Sequence, residues 1–282
     1  VEDYELAHLK HGIAVPDTVA EDGVILPPLP VFGGLHVLRD NAKIAEIMAE
    51  HNGVIGIGKL VHSYPQSWRS KAPLIYRNTA QWFVSMESHG LRDIALGELA
   101  KTKFYPAAGQ KRLTSMIAQR PDWCLSRQRA WGVPLTIFAH KQTGEPLRDP
   151  TVHAVIVEAM EAEGADCWFR SEASRFLGVE YTPDDYEKIT DILDVWFDSG
   201  STHSFVLEGR DDLESPADLY LEGSDQHRGW FHSSLLQSCA TRTRAPYKAV
   251  LTHGFVLDEQ GRKMSKSLGN VVTPQKVMEQ NG

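Results

Sequence analysis

Two short stretches hold the side chains with the most chemistry in them. The first is Gly261-Arg262-Lys263-Met264-Ser265-Lys266-Ser267-Leu268-Gly269-Asn270. Its glycines bracket a turn with three cations and two hydroxyls, the inventory of a loop that can move and then surround a phosphate with donors. It does not match a Walker P-loop, and a solvated surface turn would carry similar residues. The second is Leu219-Tyr220-Leu221-Glu222-Gly223, then Ser224-Asp225-Gln226-His227 and an apolar periodic run to Ala240. That order reads as strand, polar turn and helix. In an open parallel sheet, ligands sit outside the carboxyl ends of strands. Glu222 and Gln226 are therefore candidate contacts for a polar ligand, with Ser224 or Asp225 capping the following helix.

The elements that must position these residues are legible from periodicity and punctuation. Leu35 to His51 reads as a helix stopped at Asn52-Gly53. Val54-Ile55-Gly56-Ile57 reads as a strand, as do Leu74-Ile75-Tyr76, Trp82-Phe83-Val84, Val133 to Phe138 and Ala249 to Leu257. Thr151 to Glu163 reads as a helix before Gly164. The 282 residues, 42% apolar and 23% charged, suit a globular α/β chain of about two domains. No repeat, low-complexity tract or run of about 18 apolar residues interrupts them. The start, Val1-Glu2-Asp3-Tyr4-Glu5, has neither a basic nor an apolar run, so neither secretion nor membrane association is expected. A chain opening on Val1 is expected to be a slice of a longer one.

Charge is uneven. The net value is -8, yet Lys101, Lys103, Lys111, Arg112, Arg120, Arg127 and Arg129 face a single acid, Asp122, between 101 and 129. From Asp149 to Asp225 there are 20 acids against four bases, which would repel a polyanion. A phosphate-bearing partner is expected on the basic segment, although a solvated helix face has the same composition. Three cysteines, Cys124, Cys167 and Cys239, without a Cys-x-x-Cys pair fit a reducing cytoplasm rather than a disulfide framework or a zinc ribbon. His227 and His232, five apart, are expected on different faces of a helix, and no metal site is expected. Asp198, Ser201 and His203 lie too close in sequence for a hydrolase triad and lack a Gly-x-Ser-x-Gly elbow.

Lys263 to Ser267 resembles the KMSKS signature of class I aminoacyl-tRNA synthetases. Three more blocks, Asp122-Trp123-Cys124-Leu125-Ser126-Arg127-Gln128-Arg129-Ala130-Trp131-Gly132, Asp194 to Gly200 and Leu221 to Phe231, are similar to those of bacterial-type isoleucyl-tRNA synthetases. The resemblance covers nearly the whole chain in the family's order. It implies the distal half of a Rossmann catalytic domain that activates isoleucine with ATP and Mg²⁺ and transfers it to tRNA(Ile). Glu222 then matches the acid on the aminoacyl-adenylate, with Gly223, Asp225 and Gln226 in the same block. Trp196 and Trp230 match walls of the amino-acid pocket, where core packing is the alternative. Lys266 matches the lysine that stabilises the ATP phosphates, and Lys263 its helper.

The family edits because one methylene is worth only about 1–3 kcal/mol, and isoleucyl enzymes are themselves a standard worked example of that limit. The resemblance implies that 1–73 is a partial β-rich editing module. Asp3 would be its ammonium-binding acid, and His62, Tyr64 and Trp82 would be editing or hinge residues, a buried structural role being the alternative for those three. Residues 74–140 and 191–282 would be catalytic Rossmann segments, and 141–190 a small α+β insertion. No His-Ile-Gly-His-like block occurs, so the other half of the ATP site is expected upstream. The anticodon-binding region and a zinc-binding segment are expected downstream. The parent is expected to be a cytoplasmic monomer and this piece alone to be inactive. The competing expectations are a noncatalytic RNA-binding fragment and a valine- or leucine-specific relative.

Overall fold

The computed structural model describes residues 5–67, 70–129 and 131–282, the Glu5 side chain excepted. They fall into two compact units, Val1–Ala80 and Gln81–Gly282.

The first unit has a π-helical turn, Glu5–Lys10, and helix α1, Asn41–Glu50. Helix α1 starts later than its apolar periodicity predicts. The His36 ring accepts the N–H groups of Leu38 and Arg39 while Asp40 accepts that of His36, so local side-chain bonds occupy backbone donors a helix would need. The stop falls where the sequence puts it: Asn52 takes φ 56°, and the Gly53 N–H returns to the Met48 carbonyl at 2.7 Å. The β-rich character expected for 1–73 is not seen. Among the described residues this unit has only isolated bridges, such as Val19 with Ile25 and Gln66 with Pro73. Val54 to Ile57 forms no strand, because no described segment pairs with it and an unpaired strand is not stable in water. Ile55, Ile57, Leu60 and Val61 stand fully or largely exposed.

The second unit is mixed α/β. In chain order it comprises β1 (Phe83–Val84), α2 (Leu91–Lys101), β2 (Lys103–Tyr105), α3 (Ala108–Ala118), β3 (Trp123–Cys124), β4 (Ser126–Arg127) and β5 (Phe138–His140). It continues with α4 (Pro150–Glu163), α5 (Cys167–Arg170), α6 (Ala173–Leu177), β6 (Tyr186–Lys188), β7 (Ile192–Leu193) and α7 (Val195–Gly200). Strand β8 (Tyr220–Gly223), α8 (Trp230–Arg242), β9 (Ala249–His253) and α9 (Pro274–Asn281) complete it.

The parallel sheet has the order β2-β9-β8, with β2 and β8 both parallel to β9. Its core joins Leu99 of α2, Leu113 and Ile117 of α3, Tyr220 of β8, Val250 of β9 and Phe231, Leu235 and Leu236 of α8. Helix α8 is buried from Phe231 to Cys239. Several of its polar residues bond internally: Ser234 Oγ reaches the Trp230 carbonyl at 2.6 Å, and Gln237 Nε2 the Phe197 carbonyl at 2.7 Å, whereas the buried His232 ring has no hydrogen-bond partner among the described residues. Strand β9 is shorter than its apolar run predicts because its partner β8 ends at Gly223, opposite His253.

A second apolar cluster gathers Phe138, Val152, Ile156, Trp168, Phe176 and Leu177. The β5–β6 pairing, Phe138 opposite Lys188, joins the two ends of the segment that contains it. Strand β5 begins later than predicted, and Pro134, which lacks a backbone donor, only bridges to Ile192. Helix α4 starts as its sequence dictates. Asp149 accepts the Thr151 N–H at 2.7 Å, Pro150 occupies the first turn, and Asp149 also takes the Tyr181 hydroxyl, pushing that phenol up to about 12.

Candidate functional site

At the sheet's carboxyl edge β8 and β9 end at one level. Glu222 and Gly223 close β8, and Gly223 lies opposite His253, the last residue of β9. The chain then turns through a 3₁₀ helix, Ser224–Arg228, into α8. A Cβ on Gly223 would stand 2.6 Å from Asp225 Oδ1, so this carboxylate lies on bare backbone. Glu222 and Asp225 are exposed, and Glu222 Oε2 accepts only the adjacent Gly223 N–H, at 3.3 Å. Two carboxylates therefore face solvent where parallel strands end, an arrangement suited to ammonium and hydroxyl donors.

The capping assignment needs correction. Neither Ser224 nor Asp225 caps α8. Gln226 does: its Oε1 accepts the Trp230 N–H at 3.1 Å, because Gly229 separates the 3₁₀ turn from the helix and leaves that donor free.

Trp196 and Trp230 differ in their surroundings. Trp230 is a half-buried structural side chain, stacked on Tyr220 with centroids 4.0 Å apart and planes at 8°. Its indole N–H donates to the Ser199 carbonyl and Thr202 Oγ1, each at 3.0 Å. Trp196 is 41% exposed and lies over Gly229, beside Gln226. Its helix is fixed at both ends. Asp194, almost fully buried, accepts the Trp196 N–H and the Trp123 indole N–H at 2.9 Å and forms an ion pair with the Arg127 guanidinium at 3.0 Å. At the other end Gly200 packs so closely on α8 that a Cβ would meet Gln237 Nε2. Beside α7 a cavity of about 670 Å³ is lined by Arg127, Arg129, Trp131, Asp194 and Asp198, and burial pushes the Asp198 carboxyl up, helped by Asp194.

Behind this edge His227 and His232 are both buried, and the expectation of different faces of one helix does not apply, because His227 sits in the 3₁₀ turn rather than on α8. Burial pushes His232 down to about 3, with the Arg120 charge adding to the effect.

The cationic loop is organised separately. It leaves β9 at Gly254 and folds back on itself: Leu257 bridges antiparallel to Lys263, and the Met264 N–H reaches the Val256 carbonyl at 3.0 Å. Asp258 is its hub, accepting the N–H groups of Gln260 and Arg262, the Arg262 guanidinium and the Asn270 amide at 2.8 Å. The Asn270 amide, with the Arg262 backbone N–H, holds the Asp258 carboxyl below the usual carboxylate range. Asn270 Oδ1 in turn accepts the Ser265 N–H at 2.9 Å. Lys263 Nζ rests 3.5 Å above the Phe255 ring, and Lys266 is exposed. Among the described residues no hydrogen bond or ion pair joins Lys263 or Lys266 to Glu222, Asp225 or Gln226.

The remaining expected residues lie elsewhere. His62 and Tyr64 are exposed, not buried, and meet edge to face at 5.9 Å, with the Tyr64 hydroxyl on the Leu74 carbonyl at 3.0 Å. Trp82 belongs to the second unit, where its N–H donates to Ser126 Oγ at 2.8 Å. Asp3 lies outside the described residues. His253 escaped the sequence reading because an apolar run continuing to Leu257 put it inside a strand; the register puts it at the strand end. In the basic segment, Lys101 pairs with Glu98, Arg120 lies over Trp123, and Arg127 pairs with Asp194, so part of its charge serves internal contacts. No three His, Cys, Asp or Glu side chains among the described residues could hold a metal ion, and no helix among them is long and apolar enough to cross a membrane.

The family model for class I tRNA synthetases (I, L, M and V) matches residues 6–282, and the chain belongs to that family. It is 57% identical over its whole length to an isoleucine–tRNA ligase of Pelagibacter ubique and 51% identical to that of Caulobacter vibrioides. In both cases it spans 31% of the relative. Among solved structures, Mycobacterium tuberculosis methionyl-tRNA synthetase bound by methionyl-adenylate aligns with 79% of this chain and 35% of its own, at TM-score 0.46 and 18% identity.

Proposed function

We propose that these residues form part of an isoleucine–tRNA ligase, the distal portion of the catalytic domain that makes isoleucyl-adenylate from isoleucine and ATP and passes the acyl group to tRNA(Ile). The observation that carries this reading is the sheet edge, where exposed Glu222 and Asp225 and the partly exposed Trp196 gather at the carboxyl end of β8 level with His253. In this reading Glu222 binds the ammonium or ribose hydroxyls, and the Trp196 face packs on the aliphatic side chain. Lys266, assisted by Lys263, neutralises the phosphates as the amino-acid carboxylate attacks the α-phosphorus and pyrophosphate departs. Among the described residues no three His, Cys, Asp or Glu side chains could cage Mg²⁺, and this reading gives the ion to the nucleotide phosphates. The parent would be a cytoplasmic monomer, with any zinc held in its carboxyl-terminal region.

Editing of mischarged valine is part of the same reading, with Asp3 as the ammonium acid and His62, Tyr64 and Trp82 in supporting positions. The RNA-binding alternative is weakened by the internal engagement of Lys101, Arg120 and Arg127. Isoleucine-dependent pyrophosphate exchange by the full-length protein, with valine and leucine as competitors, tests the proposal. Exchange specific to isoleucine and lost in Glu222→Ala is the expected result; leucine- or valine-specific exchange would assign a sister enzyme instead.

A further inference from the structure

We infer that Gly229 is a specificity-setting positioning residue: its missing side chain is what lets the Trp196 ring and the Gln226 amide occupy their places in the amino-acid pocket. The inference rests on the isoleucine-activating reading above.

The geometry is direct. A Cβ at 229 would stand 2.6 Å from Gln226 Oε1, 2.7 Å from Trp196 Cη2 and 2.8 Å from Trp196 Cζ3. All three separations are shorter than nonbonded carbon contacts allow, and an interior packed this closely transmits even one added methyl. None of the atoms met is backbone. They are the tip of one indole and the end of one amide, so an added methyl displaces two side chains.

The helix carrying Trp196 cannot retreat to make room. Asp194, tied to the Trp123 and Arg127 side chains, holds its amino end, and the Gly200–Gln237 contact with the Gln237 bond to Phe197 holds its carboxyl end. The ring itself must tilt away from Gly229. Gln226 must also leave, and with it the bond that satisfies the Trp230 N–H. The atoms nearest that Cβ belong to Gln226 and Trp196 and not to Lys263 or Lys266, so the effect is expected on isoleucine rather than on ATP.

The test compares Gly229→Ala, Trp196→Phe, the double variant and Glu222→Ala in the full-length protein, by isoleucine- and ATP-dependent pyrophosphate exchange. Phenylalanine removes the outer indole atoms that the methyl would strike. Gly229→Ala is expected to raise the isoleucine KM by roughly tenfold or more, the scale of one misplaced methylene in an apolar pocket, with the ATP KM unchanged. In the double variant the Trp196→Phe change should restore at least part of that loss, so the two effects do not multiply. An isoleucine KM unaltered in Gly229→Ala, an equal rise in both KM values, or simple multiplication in the double variant overturns the inference. If Gly229→Ala fails to fold, the double variant must fold; an equally unfolded double variant also overturns it. Glu222→Ala separates the two levels: its full activity would sink the activation reading, whereas its loss beside an unchanged Gly229→Ala sinks only the role of Gly229.

Discussion

The strand-end turn and the cationic loop are both rich in polar side chains, yet they are held in opposite ways. Around Glu222 the supports are long-range: Trp230 bonds to Ser199 and Thr202, Gln237 to Phe197, and Trp123 to Asp194, seventy-one residues away. Around Lys266 every described bond is local, closing between Phe255 and Asn270 through Asp258. The turn is therefore part of the core's packing, while the loop is a self-contained unit that can move as a whole without disturbing the sheet. That division suits a site in which one side grips the ligand and the other closes on phosphate.

The largest expected effects break the comparison at its chemistry. Glu222→Ala and Lys266→Ala should each reduce isoleucine-dependent exchange by about 10²-fold or more, since each removes the charge that the proposed reading sets against the substrates. The two should differ in kind. Loss at Glu222 should weaken isoleucine binding in calorimetry, and loss at Lys266 should leave that binding intact while lowering kcat.

Stability separates the regions next. Asp194→Ala leaves the Trp123 indole and Trp196 backbone donors without their acceptor, and should lower unfolding free energy in urea by about 2 kcal/mol. Asp258→Ala should change it by less than about 0.5 kcal/mol, because its bonds are confined to an exposed loop, and should instead raise the ATP KM several-fold. Equal destabilisation by the two would erase the distinction between core-held turn and self-held loop.

A smaller effect comes from pH. His232 titrates at about 3 when folded, below its ordinary 6.5, because burial disfavours its charge. Above pH 6.5 both states are neutral and nothing is lost; as pH falls below 6.5 the unfolded chain takes up a proton the folded one refuses. Stability should therefore drop by about 1 kcal/mol between pH 7 and 5.5 on account of this residue. A His232→Leu variant should lose that part of the slope, and an unchanged slope would show that the imidazole is accessible.

Much of this was legible in the residues themselves. The strand, turn and helix from Tyr220 to Arg242, the α4 helix behind Asp149-Pro150, and the glycine-bracketed loop all follow from local pattern and punctuation. What escaped depends on partners distant in sequence. His253 ends β9 only because β8 ends opposite it, Val54 to Ile57 stays irregular because nothing described pairs with it, and Gln226 caps α8 because Gly229 interrupts the helical path. Likewise, Trp230 and Trp196 carry equal signals in a sequence, and only the stacking of one on Tyr220 and the exposure of the other distinguishes support from surface.

The central claim is that the Glu222 turn and the Lys266 loop act on one ligand. A crystal structure of the full-length protein with isoleucine and a non-hydrolysable ATP analogue tests it directly. The account expects the Glu222 carboxylate on the amino or ribose end of the bound substrates and Lys266 Nζ within hydrogen-bond distance of their phosphate oxygens. Substrates bound at the sheet edge with Lys266 pointing into solvent, or bound away from Glu222 altogether, would contradict it.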